Sequence, residues 1–213
     1  IYTINQQMIL LASYELRGPQ DRHVFWHYLK YIRWPHRFFG IGNATNKGIK
    51  IPDTDADGGA RDFIELVDRY TQLESQYLYR LWGPIYGGLR HQMRFSHTPG
   101  IEAAADGINF RDTFGVGDVV CSGLAPTLVF DTRDALIWPT RGHYWTADAN
   151  IFRTQLGSDF DATLYRMDIR HYRTPWSDHV MALRVAVFAA TGQVPFQLLP
   201  ALGGPETFRG WYL

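Results

Sequence analysis

Residues 165–170 read Tyr165-Arg166-Met167-Asp168-Ile169-Arg170. Apolar and charged side chains alternate there without a break, the period of a strand with two unlike faces rather than of a helical stripe. The same period runs on both sides. Trp145, Ala147, Ala149 and Ile151 alternate with Thr146, Asp148 and Asn150, and Met181, Leu183, Val185 and Val187 alternate with Ala182, Arg184 and Ala186. Further back, Leu124, Leu128 and Phe130 alternate with Thr127 and Asp131.

The first half is less regular. Met8, Leu10, Ala12, Tyr14 and Leu16 share one parity up to the turn at Gly18-Pro19, and His23 to Arg33 is aromatic on both parities, a weaker strand signal. A long loop is expected over 34–61. The stretch Phe63 to Leu81 is ambiguous: Phe63, Val67, Tyr70, Leu73 and Tyr77 make a helical stripe, while Leu73, Ser75, Tyr77, Tyr79 and Leu81 alternate with Glu74, Gln76, Leu78 and Arg80. The next segment favours the strand. After Gly83-Pro84, Ile85, Leu89, Met93 and Phe95 alternate with Arg90, Gln92 and Arg94, with His91 the odd member of the apolar face, so a hairpin is expected. The outcome is eight strand candidates and no convincing helix.

Composition narrows the class. Seven Trp, twelve Tyr and thirteen Phe, with 21 basic and 21 acidic residues, are too aromatic and too weakly charged for a disordered chain. The zero formal charge gives no general electrostatic reason to bind nucleic acid. One cysteine, Cys121, cannot make an intrachain disulfide. The charge-free stretch Val185 to Pro205 is interrupted by Thr191, Gly192, Gln193, Pro195 and Pro200, so it does not supply the about 20 apolar residues of a membrane helix. A transmembrane strand needs only about 9 to 11 residues.

A soluble β-sandwich also alternates, with one face wet and the other packed. Three features favour a membrane barrel: long strands, aromatics gathered near turns of one end (Trp82 and Tyr86; Trp138, Tyr144 and Trp145; Tyr172 and Trp176), and charge on the opposite parity. Arginine supplies all but three of the 21 basic residues. Arg90, Arg94, Arg166, Arg170 and Arg184 are therefore expected to form multidentate networks with Glu74, Asp148 and Asp168 across a wet lumen. The expected fold is all-β: an antiparallel transmembrane β-barrel section.

Two motifs are more specific. The first is Val129-Phe130-Asp131-Thr132-Arg133-Asp134, followed by Trp138-Pro139-Thr140-Arg141-Gly142 and a new alternating strand. The second is Leu202-Gly203-Gly204-Pro205-Glu206-Thr207-Phe208-Arg209-Gly210-Trp211. In this order they resemble the outer-membrane assembly and surface-antigen superfamily of BamA- and TamA-like barrels, and Phe39-Gly40-Ile41-Gly42-Asn43 is similar to a segment of bacterial surface-antigen barrels. The diagnostic weight lies between Gly123 and Trp211. The resemblance implies that 1–213 is one partial barrel domain, with about eight of roughly sixteen strands, lacking closing carboxyl-terminal strands, some amino-terminal ones and any soluble modules. It implies that segment 191–213 folds inward with Gly203, Gly204, Phe208, Arg209, Gly210 and Trp211 at its functional tip, Trp211 standing where Phe or Tyr is usual.

The resemblance further implies an outer-membrane location, no enzymatic activity and no cofactor. The implied partners are outer-membrane lipid, an unfolded or partly folded β-rich client, and periplasmic accessory proteins or fused domains. Insertion of clients is the leading function; a polypeptide-secretion pore, a lipid or surface-protein transporter, and a non-transporting structural barrel are the alternatives. The rim motif also has a local reading, in which Asp131 ends a strand, Asp134 caps a turn, Arg133 or Arg141 pairs with rim carboxylates, Pro139 fixes a torsion and Gly142 permits the reversal. His23 and His27, four apart, lack further clustered ligands, and Asp53, Asp55 and Asp57 lack the spacing of a calcium loop, so no metal is expected. Cys121 and Ser122 stand in no nucleophile motif, so no catalytic residue is expected.

Overall fold

The computed structural model describes residues 7–38, 51–52, 60–61, 64–98, 115 and 117–199. Eight strands form one antiparallel sheet: β1 (Met8–Arg17), β2 (His23–Phe38), β5 (Ile64–Trp82), β6 (Ile85–Thr98), β7 (Gly117–Asp131), β8 (Gly142–Phe152), β9 (Ala162–Trp176) and β10 (His179–Gly192). Each pairs with its neighbour in that order, and β1 does not pair with β10, so the sheet is open rather than closed into a barrel. A separate two-stranded piece, β3 (Ile51–Pro52) with β4 (Ala60–Arg61), lies within the stretch expected as a loop.

The ambiguous stretch is strand: β5 pairs with β2 from Phe38↔Ile64 to His23↔Tyr79 and with β6 from Arg69↔His97 to Trp82↔Ile85. Two flanking ladders pair its backbone on both sides; a helix here would bond its own backbone but leave the facing edges of β2 and β6 unpaired. The same pairing draws residues 34–38, expected to open the loop, into β2. One central strand carries a proline. Pro126 of β7 pairs with Leu89 of β6, but the β7–β8 ladder skips Ala125 and Pro126, the place where the missing N–H would have been used.

Face polarity decides the class. On one parity Glu74, Arg90, Asp148 and Asp168 are buried, with Asp148 at 7% and Asp168 at 6% exposure. On the opposite parity, Leu128 and Leu183 are 58% and 60% exposed, and Leu73, Leu89, Tyr165, Met167, Val185 and Val187 are exposed with them. A sandwich would bury the apolar parity and wet the polar one; this sheet does the reverse. Glu15 of β1, Asp131 at the end of β7 and Leu136 in the loop beyond it line one depression of about 750 Å³, so the sheet curls toward its polar face.

A polar row crosses the apolar face of the first four strands of the sheet. Tyr14, His27, Ser75 and His91 are directly paired across β1, β2, β5 and β6, with Tyr14 stacked on His27 at 4.8 Å and the His27 Nδ1 within 3.0 Å of the Ser75 hydroxyl. The odd histidine of β6 thus belongs to a cross-strand set. At the end of the sheet with the short turns, Trp82, Trp138, Trp145 and Trp176 are all exposed. At the other end the inner face carries a small apolar cluster: Val119, Cys121, Phe152, Phe160 and Ala162, with Leu164, Val194 and Leu198 packed against it.

Candidate functional site

The inner face carries two ionic clusters, and the register explains both. Asp148 and Arg166 are paired residues of β8 and β9, and Arg90 reaches the same carboxylate from β6. Arg90 Nη2 donates to Asp148 Oδ1 at 2.6 Å, Arg166 Nε donates to Asp148 Oδ2 at 2.9 Å, and Arg90 Nη1 lies 3.5 Å from Glu74. Asp148 therefore holds two guanidinium groups at once, each on its own oxygen, and such charge-assisted bonds are the strong ones. In the second cluster Asp168 accepts from Arg170 at 3.0 and 2.9 Å and from Arg184 at 2.7 Å. Arg184 thus lies on the polar face of β10, while its neighbour Val185 pairs with Ile169 on the other parity.

Arg94 joins neither cluster. Its guanidinium lies 3.9 Å over the Tyr70 ring, donates to Ser96 Oγ at 2.9 Å and to the Gln197 carbonyl at 3.3 Å. Sequence reasoning grouped it with the ionic network because it shares the parity of Arg90; the structure places it higher on the sheet, away from both shared carboxylates. It also missed the acceptor from beyond β10. Pro195 is fully buried and Val194 and Leu198 join the inner apolar cluster, so residues 193–199 turn back over the inner face. The tip residues Gly203, Gly204, Phe208, Arg209, Gly210 and Trp211 lie outside the described residues, as do Phe39 to Asn43 and Asp53 to Asp57.

The rim motif forms two clamps. Asp131 accepts the backbone N–H of Arg133 at 3.1 Å and its side chain at 2.9 and 2.7 Å, and the same guanidinium lies 4.2 Å over Tyr144. Asp134 accepts the N–H groups of Thr140 at 2.8 Å and Arg141 at 3.2 Å and bonds the Thr140 hydroxyl. Those bonds, the hydroxyl first, hold the Asp134 carboxyl down at about 2. Arg141 therefore acts through its backbone, and its side chain is exposed. Gly142 has φ +103°, and a Cβ there would stand 2.2 Å from the Thr132 carbonyl oxygen, so only glycine closes this return. Pro139 is half-buried within the loop. The clamps display Ile137 and Trp138, each 83% exposed, beyond the sheet.

Tyr144 was legible only as a rim aromatic. It packs between Arg133, at 4.2 Å, and Arg170, at 5.5 Å, and so links the rim clamp to the second ionic cluster. Asn150 similarly donates to Gln92 across β6 and β8 on the inner face. Among the described residues no group of three or more His, Cys, Asp or Glu side chains is arranged to hold a metal ion, and Cys121 is buried in the apolar cluster.

A curled antiparallel sheet with guanidinium–carboxylate clusters inside and leucine and valine outside has the face polarity of a membrane-spanning β-sheet, consistent with an outer-membrane β protein. No helix among the described residues is long and apolar enough to cross a membrane. Residues 115–213, a stretch that takes in β7 to β10, match the family model described as the Omp85 superfamily domain. No curated protein and no solved structure matches the chain.

Proposed function

We propose that this chain is the barrel section of an outer-membrane assembly factor of the BamA/TamA type, which assists insertion of β-barrel clients into the membrane. The match of residues 115–213 to the Omp85 superfamily domain carries this reading, and the inverted face polarity of the sheet supports it. In the complete barrel, of about sixteen strands, a weakly closed seam exposes strand backbone that templates client pairing. Local thinning of the bilayer beside the seam eases client entry. The inner clusters hold the barrel wall, and the tip around Arg209 docks inward as a directional tether, its planar fork reaching acceptors that lysine would reach less well.

The experiment is site-specific crosslinking from position 209 to inner-face residues, paired with a membrane-protein assembly assay. Arg209→Ala is expected to lose the crosslinks and reduce client assembly at matched barrel abundance, with Arg209→Lys rescuing in part. Unchanged assembly without any inner-face crosslink would overturn the role. A polypeptide-secretion pore is the second reading, favoured by the polar lining of the depression of about 750 Å³; a soluble client passing through the lumen, rather than released sideways into lipid, would establish it.

A further inference from the structure

Six cations and three carboxylates line the polar depression. Four of the cations are matched: Arg17 lies 2.6 Å from Glu15, Arg90 bridges Glu74 and Asp148, Arg133 clamps Asp131, and Arg166 shares Asp148. Lys30 and Arg94 remain. Among the described residues neither has an Asp or Glu within ion-pair distance, although both are half-buried and both face one aromatic ring. Lys30 Nζ stands 5.5 Å and Arg94 Cζ 3.9 Å from the centroid of Tyr70.

The register makes this a built arrangement. Lys30 pairs with Gln72, and Gln72 with Arg94, so the two cations flank one residue on a single row across β2, β5 and β6. The carboxylate nearest along β5, Glu74, is taken by Arg90 and by the Gln72 amide. Two partly desolvated cations that have, among the described residues, hydrogen-bond partners but no carboxylate favour an anion that visits them, because burial penalises a charge without its counter-charge. The Tyr70 face offsets part of that cost by cation–π attraction to both side chains.

We infer that Lys30, Arg94 and Tyr70 form an anion cradle that receives carboxylate side chains of an extended acidic polypeptide. The ligand is polymeric because the cradle lies inside a depression of about 750 Å³ with an excess of positive charge along it, much larger than one small anion fills. Aromatic side chains, Trp26, Tyr28 and Tyr86, line the same depression and supply apolar contact for a passing chain. The inference deepens the assembly reading by giving the chemistry of the client segment that enters the lumen.

The test is binding of a fluorescent deca-glutamate peptide to the full chain in phospholipid vesicles, followed by anisotropy at low and high salt. The peptide is expected to bind, deca-lysine is not, and Lys30→Gln and Arg94→Gln are each expected to weaken binding about tenfold, the scale of one charge-assisted hydrogen bond. Lys30→Arg should retain most of the affinity, and Arg17→Gln, whose charge is already matched, should change it by less than about twofold. Equal loss for Arg17→Gln would show a general field and overturn the cradle. Inorganic phosphate competing as well, per charge, as the peptide would overturn the polypeptide ligand. Affinity that rises in Glu206→Gln would show that the chain's own carboxylate fills the cradle, which also overturns it. The readout is binding, so a failed assembly assay with intact deca-glutamate binding rejects the insertion reading alone, and the converse rejects the cradle alone.

Discussion

Removing the Asp148 carboxylate is the perturbation whose cost is best defined by the structure. Its side chain is 2% exposed and accepts from Arg90 at 2.6 Å and Arg166 at 2.9 Å. Asp148→Ala leaves a buried guanidinium short of its partner, a change that costs about 3–5 kcal/mol when the charge stays fully buried. Two features place this site at the lower end. Arg90 keeps Glu74 at 3.5 Å, and the Arg166 side chain, 40% exposed, can be hydrated. The expected loss is therefore about 3 kcal/mol, and Asp148→Asn, which keeps an acceptor oxygen but loses the charge, should cost about half of that. Arg90→Met combined with Asp148→Ala removes the stranded guanidinium and leaves Glu74 to the Gln72 amide, so the pair should show a favourable coupling of about 1–3 kcal/mol. Urea unfolding of the full chain in phospholipid vesicles, followed by tryptophan fluorescence, measures each value. Asp148→Ala within about 0.5 kcal/mol of the parent, without coupling to Arg90, would refute the reasoning.

Gly142→Ala should destabilise by about 1–3 kcal/mol in the same assay, because a Cβ at φ +103° meets the Thr132 carbonyl; a neutral outcome would mean the rim loop has no fixed path. Asp134 has its carboxyl depressed from 3.8 to about 2, so its clamp contributes fully above pH 3.8 and is lost as pH falls through about 2. Its carboxyl carbon shift by NMR should titrate near that lower value, and a midpoint at 3.8 would show that the bonds to Thr140 and Arg141 are not made in solution. Val185→Arg should cost about 2–4 kcal/mol in vesicles by placing a charge against lipid. Ala186→Arg, opposite Asp168, should cost about 1 kcal/mol or less, and equal costs at the two positions would contradict their opposite faces.

Period-two alternation made the second half of the sheet legible, since the charged parity of β9 and β10 cannot be hidden in a helix. Asp168, Arg170 and Arg184 meet because adjacent positions on adjacent strands must meet once the register is set. The first half was harder. Leu73 and Tyr77 fit either period, and only pairing on both sides of β5 separates them. Arg94 shows the limit of parity: it gives the face, not the partner, and its acceptor at Gln197 comes from 103 residues away. The inner apolar cluster was illegible for the same reason, because Val194 and Leu198 reach Phe152 only after the chain has turned back. The rim clamps needed no long-range contact, and their chemistry was readable from Asp131, Asp134 and Gly142 in sequence.

The central claim is that the charged parity faces water inside the sheet and the apolar parity faces lipid. A single-cysteine scan over 183–187 of β10, in a Cys121→Ala background that removes the buried native thiol, reads it residue by residue. With the chain in phospholipid vesicles, spin labels at positions 184 and 186 should be relaxed by a water-soluble nickel chelate and those at 183, 185 and 187 by dissolved oxygen. Relaxation by the same agent at all five positions, or the reversed alternation, would contradict the account.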